Sequence, residues 1–138
     1  MTKILLASHG KLAEGMKNSV EIIMGEASKI EVINAYVDDT DFENDALECL
    51  KNLKNTEKLI VVTDLLGGSV NNTFIEFLKK YDFYLVSGMN LLLVIQLLLL
   101  KGDDKLEKEL KRIIAESKDG VILCNDLLSN IEKVEDDF

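Results

Sequence analysis

The stretch Lys3-Ile4-Leu5-Leu6-Ala7-Ser8-His9-Gly10 decides how the rest of the chain is read. Residues 3–8 form a short apolar run, the mark of a buried strand. His9-Gly10 follows, and then the pattern turns helical, with Leu12, Met16, Val20, Ile23 and Met24 at helical spacing and a stop at Gly25. A strand that passes at once into a helix opens a βαβ unit.

The alternation continues down the chain. Strands are expected at residues 30–36, 59–64 and 83–87, with a later run at 120–125. Thr40-Asp41-Phe42-Glu43 fits a capping box. It opens a helix whose stripe is Phe42, Ala46, Leu50 and Leu53. After Ser69 a further helix shows Val70, Phe74, Phe77, Leu78 and Tyr81, and residues 104–118 form a charged surface helix with Leu106, Leu110, Ile113 and Ile114 turned inward. The most apolar stretch is 89–100, broken only by Asn90 and Gln96. It is well short of the roughly 20 residues that span a bilayer, and reads as a helix buried on nearly all sides.

This pattern predicts an α/β fold, a doubly wound and mainly parallel sheet with helices on both faces. Right-handed crossovers give the strand order 2-1-3-4 as the simplest arrangement. The winding then reverses between strands 1 and 3, and the crevice of such a sheet opens at that reversal.

Bulk properties set limits. A chain of 138 residues is the size of one domain, spanning 1–138, with 47% hydrophobic residues to fill a core. The acidic tail, about 129–138, is expected to fray. A net charge of −9 argues against nucleic acid or an anionic membrane as partner, and an acidic face suits a basic protein. Cys49 and Cys124 read as core residues. One histidine and no CxxC are too few soft ligands for zinc, so no metal or other cofactor is expected. No signal segment opens the chain, which predicts a cytoplasmic protein. Proline is absent, so turns rest on Gly, Asn and Asp.

Three strand ends meet at the crevice. Strand 1 brings His9 and Gly10; strand 3 brings Asp64 and then Leu65-Leu66-Gly67-Gly68-Ser69; strand 4 brings Gly88-Met89-Asn90. A carboxylate at Asp64 that accepts a proton from one ring nitrogen of His9 fixes the tautomer and frees the other nitrogen to attack. Gly67 and Gly68 let backbone approach an anion, and Ser69 opens a helix whose N–H groups and dipole favour one. Each element alone has a bland reading. A lone histidine is often structural, Asp64 suits a cap, Gly-Gly-Ser a turn, and Asn71, Asn72 and Asn90 suit turns or caps. The combination points to a phosphohistidine. No GxxxxGK[ST], GxGxxG or GxSxG motif is present to support a P-loop, a dinucleotide site or a nucleophile elbow.

Leu6-Ala7-Ser8-His9-Gly10, Thr63-Asp64-Leu65-Leu66-Gly67-Gly68-Ser69 with Asn72, and Gly88-Met89-Asn90 resemble the mannose-type (mannose/fructose/sorbose) IIA component of the bacterial sugar phosphotransferase system. The resemblance covers roughly residues 1–125. It implies a phosphocarrier that takes phosphate from HPr on His9, through Nε2, and passes it to a IIB domain, with IIC and IID membrane components served indirectly. It implies that Asp64 orients His9, and that Gly10, Gly67, Gly68 and Ser69 bind phosphate, with Leu65, Asn72 and Asn90 also at the crevice. It further implies a homodimer that pairs or exchanges a C-terminal strand, here the run 120–125, with residues 89–100 covering the interface. Val70 and Leu92 stand where the family usually has proline, which loosens both turns. Two other readings are kept: a phosphotransfer subunit of a dihydroxyacetone kinase, which shares the fold and the histidine but typically lacks the full pattern of Gly67-Gly68-Ser69, and a non-catalytic regulatory domain in which His9 is a switch. A small hydrolase using His9 and Asp64 is a third.

Overall fold

β1 (Thr2–His9) is the hub of the computed structural model, which describes residues 2–102 and 104–128. It pairs in parallel with β2 (Ile30–Ala35) on one side and β3 (Lys58–Thr63) on the other, and β3 pairs in parallel with β4 (Tyr84–Val86). The order is β2-β1-β3-β4, the order read from the sequence. The helices α1 (Leu12–Met24), α2 (Phe42–Lys51), α3 (Ser69–Phe77), α4 (Leu91–Leu98) and α5 (Leu106–Lys118) follow the strands.

Both faces of the sheet are covered, which is why the strands are continuous apolar runs. Side chains alternate along a strand, so Ile4, Leu6, Ile60 and Val62 face α1, α4 and α5. Leu5, Ala7, Leu59 and Val61 face α2 and α3, where Phe42, Ala46, Val70 and Phe74 complete a second core. The reversal of winding puts α1 on one face and α2 and α3 on the other, as right-handed crossovers require. The alternation also sets the chemistry. Ser8 turns toward α1, where its buried hydroxyl accepts the Ala13 N–H at 2.8 Å. His9, one residue on, turns the other way, toward the start of α3.

Several expectations are corrected. The run 120–125 is not a strand: residues 121–123 carry no regular structure and 124–128 are helical. Strand propensity measures fit to a pleated, half-buried surface, and among the described residues no strand pairs with this run. Val121, Ile122 and Leu123 are therefore exposed. Cys124, expected in the core, is exposed for the same reason, while Cys49 is half-buried on α2. The helix in 89–100 is shorter and more one-sided than its composition suggests. Leu93, Val94 and Leu97 are buried, but Leu92 and Leu99 face outward. In α1 the inward residues are Ala13 and Val20, with Leu12 and Ile23 exposed. The cap of α2 is Asp41, whose carboxylate accepts the N–H groups of Glu43 and Asn44, whereas Thr40 bonds Asp38. The acidic tail lies outside the described residues. Among the described residues no helix is long and apolar enough to cross a membrane.

Candidate active site

The carboxyl ends of β1 and β3 place His9 and Asp64 together at the reversal of the sheet. In register, Ala7 of β1 lies beside Thr63 of β3, so the next residues of the two strands leave the sheet side by side. One oxygen of Asp64, Oδ2, accepts the His9 backbone N–H at 2.8 Å and lies 2.7 Å from His9 Nδ1. The other, Oδ1, accepts the Leu65 N–H at 2.8 Å. Partial burial works to raise the Asp64 carboxyl, but the His9 backbone and ring hydrogen bonds, the Leu65 N–H and the attraction of the imidazole outweigh it. Its pKa lies below the ordinary carboxylate value, so Asp64 is an anion at neutral pH. An anion here makes Nδ1 the donor and leaves the lone pair on Nε2.

Nε2 faces Ser69, whose Oγ is 3.1 Å away. Ser69 is the first residue of α3, and its N-cap, Gly68, has no side chain to satisfy the leading N–H groups. Those groups and the helix dipole make the end of α3 favourable for an anion. The two glycines before Ser69 have separate reasons. Gly67 has φ of +80°, the left-handed region where glycine is at ease. A Cβ on Gly68 would lie 3.2 Å from the Leu65 carbonyl oxygen and 3.5 Å from His9 Cε1, so a side chain there would crowd the imidazole.

The turn lacks proline but is held by two asparagines. The Gly67 N–H donates to Asn71 Oδ1 at 3.3 Å, and the buried Asn71 amide donates to Thr63 Oγ1 at 2.8 Å. Asn72 Nδ2 donates to the Gly67 carbonyl at 2.9 Å. Gly10 N–H donates to the Ala35 carbonyl at 2.8 Å and ties the end of β1 to that of β2. The backbone of Leu65 belongs to the site, while its side chain, like that of Leu66, is exposed beside it. Asn90 is the residue before α4. It caps α4 by accepting the Leu93 N–H, and it lines a small cavity with Ser87, Ser117 and Val121.

Tyr36 stands just past β2, and its sequence position announces no role. Its hydroxyl lies 3.0 Å from Ser69 Oγ, and its ring packs against His9 with centroids 5.4 Å apart. Its adjacency to His9 follows from the pairing of His9 with Ala35 across β1 and β2, which is legible only once the register is known.

The His9 side chain is 47% exposed. A concavity of about 600 Å³ lies along β2 and α2, between Lys3, Glu31, Asp45 and Cys49, and His9 does not line it. The imidazole is open to solvent at the carboxyl edge of the sheet. Among the described residues no three of His, Cys, Asp and Glu converge as a metal site.

Residues 3–114 match the family of PTS system fructose IIA components. Among solved structures, a protein from Klebsiella pneumoniae named as a phosphoenolpyruvate-dependent sugar phosphotransferase system (PTS) permease is 36% identical. Its TM-score is 0.86, over 92% of this chain and 93% of that one. A PTS IIA protein associated with the fucose utilization operon of Streptococcus pneumoniae is 26% identical, with a TM-score of 0.76 over 92% and 96% of the two chains. The mannose/sorbose-specific IIA subunit from Enterococcus faecalis, 23% identical with a TM-score of 0.76 over 88% and 93%, shares the fold.

Proposed function

This chain belongs to the PTS fructose IIA component family, and from that premise we propose that His9 is a phosphoryl carrier between HPr and a IIB domain in sugar uptake. The observation that carries the reading is the state of one ring. Nδ1 is tied to an anionic carboxylate at 2.7 Å, and Nε2 faces a hydroxyl at the start of a helix.

The chemistry follows from that ring. The Nε2 lone pair forms a bond to phosphorus in line with the donor's bond to the same atom. That bond breaks, and its electron pair leaves with the donor. The His9 ring then carries a proton on Nδ1 and the phosphoryl group on Nε2, and the positive charge it gains is balanced by Asp64. The phosphoryl oxygens would meet the Ser69 hydroxyl and the leading N–H groups of α3. In the second transfer the Nε2–P bond breaks, its pair returns to Nε2, and the group passes to the acceptor on IIB. The protein contributes position and electrostatics.

The test uses phosphorylated HPr and the purified chain. A mass increase of one acid-labile phosphate is expected, and His9→Ala should abolish it. No transfer to wild type at high donor concentration would overturn the reading. A homodimer belongs to the same proposal. β4 is an edge strand, and the exposed Val121, Ile122 and Leu123 would be covered by pairing with a second copy. A monomeric mass in light scattering at micromolar concentration would refute it.

A further inference from the structure

Tyr36 is in a conformation that its surroundings do not force by burial. Its φ is +66°, a left-handed value that bulky residues rarely adopt, and the residue is 60% exposed. What the turn achieves is placement. It sets the ring against the His9 imidazole and the hydroxyl against Ser69.

The direction of the hydrogen bonds follows from counting protons. Asp64 is an anion, so His9 Nδ1 donates to it and Nε2 can only accept. The Ser69 hydroxyl has one proton, and Nε2 at 3.1 Å takes it. Ser69 Oγ is then an acceptor, and the Tyr36 hydroxyl at 3.0 Å is its donor. The chain runs from Tyr36 through Ser69 and His9 to Asp64. Such chains strengthen each of their members.

We propose that Tyr36 is a positioning residue that acts on His9 through Ser69, holding the Ser69 hydroxyl rotor so that its proton points at Nε2. The consequence for transfer rests on the carrier reading above; the order of the hydrogen bonds does not. When the Nε2 lone pair becomes the N–P bond, the Ser69 proton loses its acceptor and turns to a phosphoryl oxygen. Tyr36 continues to donate to Ser69 Oγ throughout, so the hydroxyl is aimed both before and after the bond forms.

His9 is the only histidine in the chain, so ring-¹⁵N NMR of the unphosphorylated protein reports a single imidazole. Tyr36→Phe keeps the ring and removes one hydroxyl. The Nε2 resonance should move toward that of an unbonded ring nitrogen, with the melting temperature unchanged. In the Ser69→Ala background the same substitution should leave the resonance where it was. With phosphorylated HPr as donor, Tyr36→Phe should lower the maximal transfer rate about three- to tenfold, the worth of one neutral hydrogen bond, and leave the half-saturating donor concentration unchanged. Unmoved ring resonances in Tyr36→Phe, or an equal shift with and without Ser69, would overturn the proposal. If the resonances respond but wild type accepts no phosphate, the carrier reading falls and the role of Tyr36 in setting the ring stands.

Discussion

Replacing Asp64 by asparagine tests the site's electrostatics with almost no change of shape. Asp64 accepts three N–H groups, two on Oδ2 from His9 and one on Oδ1 from Leu65. An amide has one acceptor oxygen and one donor nitrogen, so it cannot serve both sides. With its oxygen toward His9, its NH2 confronts the Leu65 N–H. With its NH2 toward His9, Nδ1 must become an acceptor, and the proton moves to Nε2, the nitrogen that attacks in the proposed transfer. Either arrangement also removes the charge that, in the proposed carrier, balances the phosphorylated ring. A unit charge pair about 4 Å apart near a surface is worth about 4 kcal/mol at an effective dielectric of 20. The His9 side chain is 47% exposed, and halving the value for solvent screening leaves about 2 kcal/mol. That corresponds to about a 30-fold slower transfer. Rapid quench with phosphorylated HPr measures it, with a thermal melt to show that the variant is folded. A folded Asp64→Asn protein that transfers within about threefold of wild type, below 1 kcal/mol, would refute the reasoning.

Three further outcomes are expected. In stability measured against pH, the advantage of wild type over Asp64→Asn should be complete above the unfolded carboxylate value of about 3.9. It should fade as pH falls through the lower folded value; an advantage that persists in strong acid contradicts this. Gly68→Ala should lose about tenfold in transfer rate, because the Leu65 carbonyl oxygen only 3.2 Å from the new Cβ forces the turn to shift against the ring; an unchanged rate in the quench assay contradicts it. Asp41→Ala should cost about 1 kcal/mol in urea unfolding, and Thr40→Ala clearly less; equal losses would place the cap elsewhere.

The strands and their order were legible because burial on both faces leaves an unbroken apolar run, and because crossover handedness allows few arrangements. The meeting of His9 with Asp64 followed from that order. What escaped the sequence depended on details that residue type does not encode. The inward face of α1 lies on Ala13 rather than Leu12, one position away, since a step of one residue turns a helix by 100° and large apolar residues stand on both flanks. Tyr36 joins the site through a left-handed backbone turn that no tyrosine announces. Asn71 looks like a turn residue, yet it is buried and braces the Gly67–Ser69 turn from below. The run 120–125 has the composition of a strand but no partner among the described residues, so composition alone misplaced it and Cys124 with it.

The parallel pairing of β1 with β3 has a kinetic consequence. Thr2 lies beside Lys58, so the chain must close a long loop, with β2 and two helices inside it, before the first of these contacts forms. Loop closure on that scale costs entropy before any contact offsets it, and folds built from such distant pairings form slowly. His9 emerges early in synthesis, but the aspartate and serine that hold its ring arrive only after the third strand. A nascent chain carries an ordinary imidazole for half its length, and the ring acquires its fixed proton only when the sheet closes. The Asp64–His9–Ser69 geometry is thereby coupled to completion of the central fold, and a partly folded chain lacks it.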